Sequence, residues 1–179
     1  RELGPRVGRR MRPRYTRARV LRGEPVNVVT GEVVLTHEDF SLPWRIPLRW
    51  TRRYGSQLGR RGCVGHGWET PADARLVLES DGTVTFFDGQ QDGAAIFPRL
   101  PGDDQMPVAE LAAGARLMAH DDGLCVETAR GLTFHFPAPR GAAEVLAHRV
   151  SRPGAAWEIE RVGGRVRQLR NEAGQRLVM

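Results

Sequence analysis

The chain has 179 residues, 40% of them hydrophobic, with 21 glycines and 12 prolines spread along it, which suits about one domain with a buried core and favours many short strands and turns over long helices. Its net charge of +6 is uneven: residues 1–22 carry nine of the 27 basic residues against Glu2 alone, a net +8, and the remainder carries 18 against 20 acids, a net −2. No apolar run approaches the roughly 20 residues that cross a bilayer, no signal-peptide pattern is present, and Cys63 and Cys125 stand apart without partners at zinc spacing, so they read as reduced thiols.

In chain order, the first element is an arm over residues 1–22 in which every basic residue is Arg. Clustered cations suit phosphate or an anionic surface. The arm has no stacking platform beyond Tyr15 and no base-reading signature, so nucleic acid is disfavoured against a linker lying on an acidic partner surface. Val26–Val28 and Glu32–Thr36 are β-branched-rich and flank the Thr30-Gly31 turn signal, which predicts a hairpin or bulge. Leu48–Tyr54 alternates, with Leu48, Trp50 and Arg52 on one face and Arg49, Thr51 and Arg53 on the other, which predicts one buried and one wet face.

Arg75–Glu79, Ser80-Asp81-Gly82 and Thr83–Phe87 form the clearest hairpin, ended by Asp88-Gly89. The same grammar recurs in Arg116–His120, Asp121-Asp122-Gly123, Leu124–Thr128, Arg130-Gly131 and Leu132–Phe136, which predicts a meander. Between them, Val108–Ala115 has helix-forming content that Gly114 limits to a turn or two. Residues 88–93 and 100–106 read as surface loops. The fold class is therefore all-β, an antiparallel meander or curved sheet preceded by the basic arm.

Residue patterns that carry chemistry are weak. His37, His66, His120, His135 and His148 make no HxH or i, i+4 pair, and a lone strand histidine is usually packed or exposed. Glu32, Glu38 and Asp39 offer carboxylates, but neighbours in a strand diverge, so His37-Glu38-Asp39 reads as a polar turn. Ser41, Ser56, Ser80 and Ser151 lack a nucleophile-elbow context. The glycines between Gly62 and Gly67 precede no Lys-Ser/Thr and no helix, so they are no phosphate loop. Gly65 and Gly67 read instead as backbone positions that let Trp68 turn inward. Trp50, Tyr54 and Trp68 suit core packing, with a sugar-stacking platform as the alternative. No catalytic residue, cofactor or metal site is assigned.

One ordered set of motifs is more specific. Pro25-Val26-Asn27, Thr30-Gly31, Asp39-Phe40-Ser41-Leu42-Pro43, Pro47-Leu48-Arg49-Trp50 with Arg52 and Tyr54, and Gly65-His66-Gly67-Trp68 follow one another within a quarter of the chain. This set resembles the N-terminal signature segment, the DUF6531-type region, of the Rhs/YD-repeat proteins, the shells of bacterial polymorphic toxins. Its structural signature residues here are Pro25, Asn27, Gly31, Asp39, Phe40, Pro43, Trp50, Arg52, Tyr54, Gly65, Gly67 and Trp68. Trp44 departs from the small residue usual after the Leu-Pro pair. Residues 164–174 resemble one YD repeat unit, with Trp157–Glu160 as the aromatic strand of the unit before. A start at Arg1 and a stop at Met179 lead us to expect a piece of a longer protein.

The resemblance implies a division into an arm or plug over 1–22, a signature β domain over 23–150 and the start of a repeat array over 151–179. It implies the first part of a hollow β-cocoon: a non-catalytic shell segment that encloses a C-terminal toxin domain for interbacterial delivery by type VI secretion or a similar route. The partners implied are downstream Rhs repeats, the enclosed toxin domain and, through the N-terminal side, a secretion spike protein or chaperone. Localisation would be the bacterial cytoplasm before export, then the target cell. The alternative function is a cell-surface carbohydrate-binding module. The resemblance also implies a candidate self-cleavage junction at Glu24 and Pro25, where the charge asymmetry changes, against the plain reading of a proline that opens the first strand.

Overall fold

The structure is a computed structural model that describes Val26 and residues 30–90, 94–102, 106–110, 114–120 and 123–179. The arm over 1–22, Glu24, Pro25 and Asn27 lie outside the described residues, as do parts of the two expected loops. The described chain is built from antiparallel strands and one 3-10 turn, Pro71–Asp73, so it is all-β.

The strands are β1 (Val34–Leu42), β2 (Leu48–Gly55), β3 (Arg61–Gly62), β4 (Gly65–His66), β5 (Trp68–Glu69), β6 (Arg75–Leu78), β7 (Val84–Phe87), β8 (Ala95–Phe97), β9 (Val108–Glu110), β10 (Ala115–His120), β11 (Gly123–Glu127), β12 (Thr133–Pro137), β13 (Glu144–Leu146), β14 (Arg149–Arg152), β15 (Ala155–Val162), β16 (Arg165–Asn171) and β17 (Arg176–Val178). They form four sheets: β1-β2-β5, the small pair β3-β4, a four-stranded sheet β13-β6-β7-β8, and an eight-stranded sheet β17-β16-β15-β14-β12-β11-β10-β9. The order of the largest sheet is almost the chain order, the mark of a meander.

Local chemistry explains the hairpins. Between β6 and β7, Gly82 takes φ 86 and Asp81 Oδ1 accepts from both the amide and the hydroxyl of Thr83, at 3.0 and 2.7 Å. Leu76, Val84 and Phe86 then point inward and Val77 sits on the other face, only partly covered. The same alternation puts Leu117, Val126, Phe134 and Phe136 into the facing layer, where edge-on ring pairs Phe86–Phe134 and Phe86–Phe136 interlock the two sheets. Each such side chain contributes about 1.5–3 kcal/mol on burial. A second cluster joins Ile46, Leu48 and Trp50 to Trp157, Ile159 and Leu169, so the β1-β2 hairpin packs on the late strands β15 and β16.

Three expectations are corrected. Residues 108–110 form strand β9 rather than a helical turn, because Val108 pairs with Leu117, is buried, and Gly114 at φ 62 returns the chain into β10. His37-Glu38-Asp39 lies inside strand β1, not in a turn. There Glu38 pairs with Thr51 and Phe40 with Trp50, which leaves Asp39 as the extra residue of a β-bulge. Arg53, assigned to the wet face of β2, is only 6% exposed. Burial on β2 changes sides after Trp50, because a carboxylate and a second arginine enclose the Arg53 head group.

Candidate functional site

The signature residues within the described chain fall into two sets: Phe40 and Trp50 pack toward the late strands, and Asp39, Arg52, Tyr54, Gly67 and Trp68 form a connected seam of contacts within the β1-β2-β5 sheet and the turn before β5. The Asp39 bulge turns its carboxylate toward β2, where Arg52 Nε and Nη2 donate to its two oxygens at 2.6 and 2.7 Å. His37 Nδ1 adds a 3.0 Å contact to the same carboxylate. The Arg52 hydrogen bond holds the Asp39 carboxyl below its ordinary range, opposed by burial, and Asp39 in turn raises Arg52. The Arg52 guanidinium also lies 5.5 Å over the Trp68 ring, and Trp68 packs on Tyr54 at 5.2 Å.

Glycine is required where this seam closes. Gly67 has φ 74, and a Cβ there would stand 2.8 Å from the Tyr54 ring; at Gly62 it would stand 2.0 Å from the Trp68 carbonyl oxygen. The Gly-His-Gly-Trp turn thus lets Trp68 lie against Tyr54, half-buried. Trp50 does something else. It is 4% exposed, stacked with Phe40 at 6.3 Å, and belongs to the core. The three rings of the sugar-platform alternative therefore do not share one open surface.

The loop after Pro43 is clamped by groups more than a hundred residues away. Trp157 Nε1 donates to Ile46 O at 2.8 Å, Arg45 Nη1 to Gly154 O at 2.9 Å, and Arg152 Nη1 to Arg45 O at 2.8 Å. Trp44, the departure from the small residue of the pattern, meets the Trp157 ring edge-on at 6.0 Å.

Beneath the seam lies a buried polar layer that sequence reasoning missed. Glu69, 4% exposed, accepts from Arg75 Nη1 at 2.6 Å and from Arg53 Nη1 at 3.4 Å. Arg75 stacks 4.1 Å over the Phe87 ring. Asp73 accepts from the Thr70 amide and hydroxyl and from the Cys63 amide, at 2.8–2.9 Å, which closes a capping box on the 3-10 turn. Cys63 Sγ sits 2.9 Å from Thr70 Oγ1. Burial first, then the Asp73 charge, pushes its thiol up to about 12, so it is held as a neutral thiol. Arg161 reaches from β15 to the carbonyls of Ala147 and Ala72, and burial lowers its pKa. Both cysteines are free thiols, as expected.

The histidines do not all stand alone. His120, His135 and His148 come together on one face of the eight-stranded sheet, with ring centroids 5.3 Å apart for the first pair and 6.4 Å for the second. The outward alternation of the meander was the available signal, and it needed the strand register to be used. His135 Nε2 lies 2.8 Å from Ser151 Oγ, the contact of a base and a hydroxyl. Its neighbours argue for a structural role, since Thr133 pairs with Ser151 inside the sheet and amides committed to a ladder do not form an oxyanion hole. No group of three metal-binding side chains is formed among the described residues.

The comparisons with known proteins can now be set beside this geometry. Residues 23–96 match a family described as "Domain of unknown function (DUF6531)", a stretch that contains the Asp39 bulge, the Arg52, Tyr54 and Trp68 contacts, and Glu69 with Arg53 and Arg75. The chain is also similar to the protein "Double-stranded DNA deaminase toxin A" of Burkholderia cenocepacia (strain H111), at 29% identity over 169 residues, covering 88% of this chain. The chain spans 11% of the length of that relative.

Proposed function

We propose that this chain is a non-catalytic structural segment of a bacterial polymorphic toxin, part of an Rhs-type shell around a C-terminal toxin domain. The observation that carries the reading is the seam. The motifs of the signature serve to lock strands to one another, through Asp39–Arg52, Phe40–Trp50 and Tyr54–Gly67–Trp68. The similarity to a toxin supports it, because nearly all of this chain aligns with a small fraction of a much larger protein. A wall segment of a large toxin would align in that manner.

In this reading the eight-stranded sheet is a piece of curved wall, and the edge strand β17 is where the repeats that follow would add. The enclosed toxin domain, delivery by type VI secretion or a similar route, and passage from the bacterial cytoplasm into a target cell belong to the same proposal. So does self-cleavage at Glu24–Pro25, which N-terminal sequencing tests: a new terminus at Pro25, lost when Glu24 is replaced, supports it, and an intact chain in every preparation opposes it. The direct test of the non-catalytic reading is turnover. The reading predicts that the purified chain will show no nuclease, deaminase or glycosidase activity; an activity that survives repurification and is abolished by His135→Gln or Ser151→Ala contradicts it.

A further inference from the structure

We infer that the free edge of strand β17 takes an antiparallel strand that sets an acidic residue directly opposite Arg176 and an apolar residue opposite Leu177. The inference rests on the shell reading, in which further strands add at this edge, and it states the chemistry that such a strand carries. The edge is open in its main-chain groups. Asn171 N donates to Gln175 O at 3.1 Å and Met179 N donates to Arg167 O at 3.0 Å, so residues 175 and 179 face β16. Along an antiparallel strand the main-chain groups alternate between its two sides. Those of Arg176 and Val178 therefore point to the outer edge, where the sheet has no further strand among the described residues.

Two observations specify the occupant. The first is on the core face, where Ile159 pairs with Leu169 and Leu169 with Leu177. Ile159 and Leu169 are buried, whereas Leu177 is only partly covered. An apolar residue opposite Leu177 continues this row by one strand and removes the remaining apolar surface from water. The second is on the outer face, where the cross-strand row runs Arg149, Glu158, Arg170, Arg176. Arg170 and Arg176 stand directly opposite one another, both exposed. Like charges in facing positions oppose the pairing of their strands.

The acids of the neighbouring strands and turn are engaged elsewhere. Glu158 turns to Arg149, with Oε1 3.3 Å from its Nε. Glu160 accepts from Gln168, and Glu172 accepts from the Ala156 amide at 3.3 Å. Neither Arg170 nor Arg176 forms a hydrogen bond or ion pair through its side chain with the described residues. The row is thus complete at Glu158 and ends on two adjacent cations. A carboxylate on the next strand, opposite Arg176, supplies the missing counter-charge; a neutral or basic residue leaves the pair as it is. Main-chain hydrogen bonds at such an edge accept any extended strand, and the charge decides which strand is preferred.

The test is a nuclear magnetic resonance titration of the chain with two synthetic nine-residue peptides of alternating Thr and Val. The peptides differ only in the central residue of the Thr face, Glu in one and Lys in the other. The Glu peptide shifts the Arg176 and Val178 amides saturably and binds about fivefold more tightly than the Lys peptide at low salt, a preference that shrinks with added sodium chloride. Arg176→Glu lies at an exposed position and relieves the like-charged pair, so the variant keeps or gains melting temperature, and it inverts the preference between the peptides. Equal affinity for the two peptides, or a preference unchanged in Arg176→Glu, overturns the inference and leaves the shell reading standing, because the edge still takes a strand. No saturable shift at Arg176 and Val178 with either peptide also overturns it. The shell reading is decided separately, by protection of the C-terminal region in the longer protein.

Discussion

Two halves of the core are built by different means. Around Phe86, Phe97, Leu117 and Phe136, hairpins of neighbouring sequence stack on one another, and the layer between them is apolar. Around Trp50, Trp157 and Ile159 the partners are remote in sequence, and the apolar contacts rest on a floor of buried charge, Arg53–Glu69–Arg75 and Asp73. The first half depends on volume; the second depends on every buried charge keeping its partner. Nonpolar truncation and charge truncation should therefore damage the two halves to similar extents, and charge replacement as a set should separate them.

The largest effect is expected at Glu69. Glu69→Ala removes the carboxylate that the buried Arg53 and Arg75 share, leaving Arg75 with Glu144 Oε2 at 3.6 Å, at a cost of up to about 3–5 kcal/mol in chemical denaturation. Phe86→Ala in the apolar half costs about as much, ~3–5 kcal/mol, through its cavity. The triple replacement Arg53→Met, Glu69→Leu, Arg75→Met sharpens the contrast: it recovers most of the loss of Glu69→Ala, since it removes all three charges together. A triple variant no more stable than Glu69→Ala would show that the ion set is needed for specificity as well as pairing.

An intermediate effect is expected from Trp157→Phe, which keeps most of the ring and strands the Ile46 carbonyl, for about 1–3 kcal/mol. Gly67→Ala is expected in the same range, about 1–3 kcal/mol, because positive φ and the Tyr54 ring both oppose a side chain. Gly174→Ala, at φ 80 with nothing within 4 Å, pays for strain alone and should cost less. Equal losses at the two glycines would remove the close approach to Tyr54 from the account.

Two further effects concern titration. The Cys63 thiol is raised in the folded chain from its ordinary 9.0 to about 12, so its contribution is complete below pH 9 and is lost as pH rises toward 12. The chain should resist thiol alkylation at pH 8 and lose stability between pH 9 and 12, and Cys63→Ser should flatten that loss. Asp39, lowered by Arg52, contributes above its ordinary value of 3.8 and loses that contribution as pH falls through its folded value. It is solvent-exposed, so the check is the carboxyl chemical shift in Asp39 rather than a melting curve.

What could be read from the sequence divides along the same line. The β6-β7 hairpin and the β10-β11-β12 meander follow from alternation and from Ser-Asp-Gly or Asp-Asp-Gly turns, signals carried within a dozen residues. Strand β9 was read as helical because Leu111, Ala112 and Ala113 follow it with helix-favouring side chains. Only the pairing of Val108 with Leu117 decides the matter. The burial of Arg53 was invisible for a related reason. Alternation assigns faces on the assumption that one face is apolar throughout, and here Glu69 and Arg75, far along the chain, convert a wet position into an enclosed one. The signature residues were legible as a pattern, and their meaning as a lock was not. Asp39 meets Arg52 in both oxygens only because a bulge places it there.

The central claim is that the seam holds a wall closed around something else, and it is tested by protease protection in a full-length protein that carries this segment. The account predicts that the C-terminal region resists proteolysis in the intact protein and becomes cleavable at matched protease when Glu69→Ala and Trp157→Phe weaken the seam. Equal and rapid cleavage of the C-terminal region with the seam intact and with it broken would contradict the shell reading.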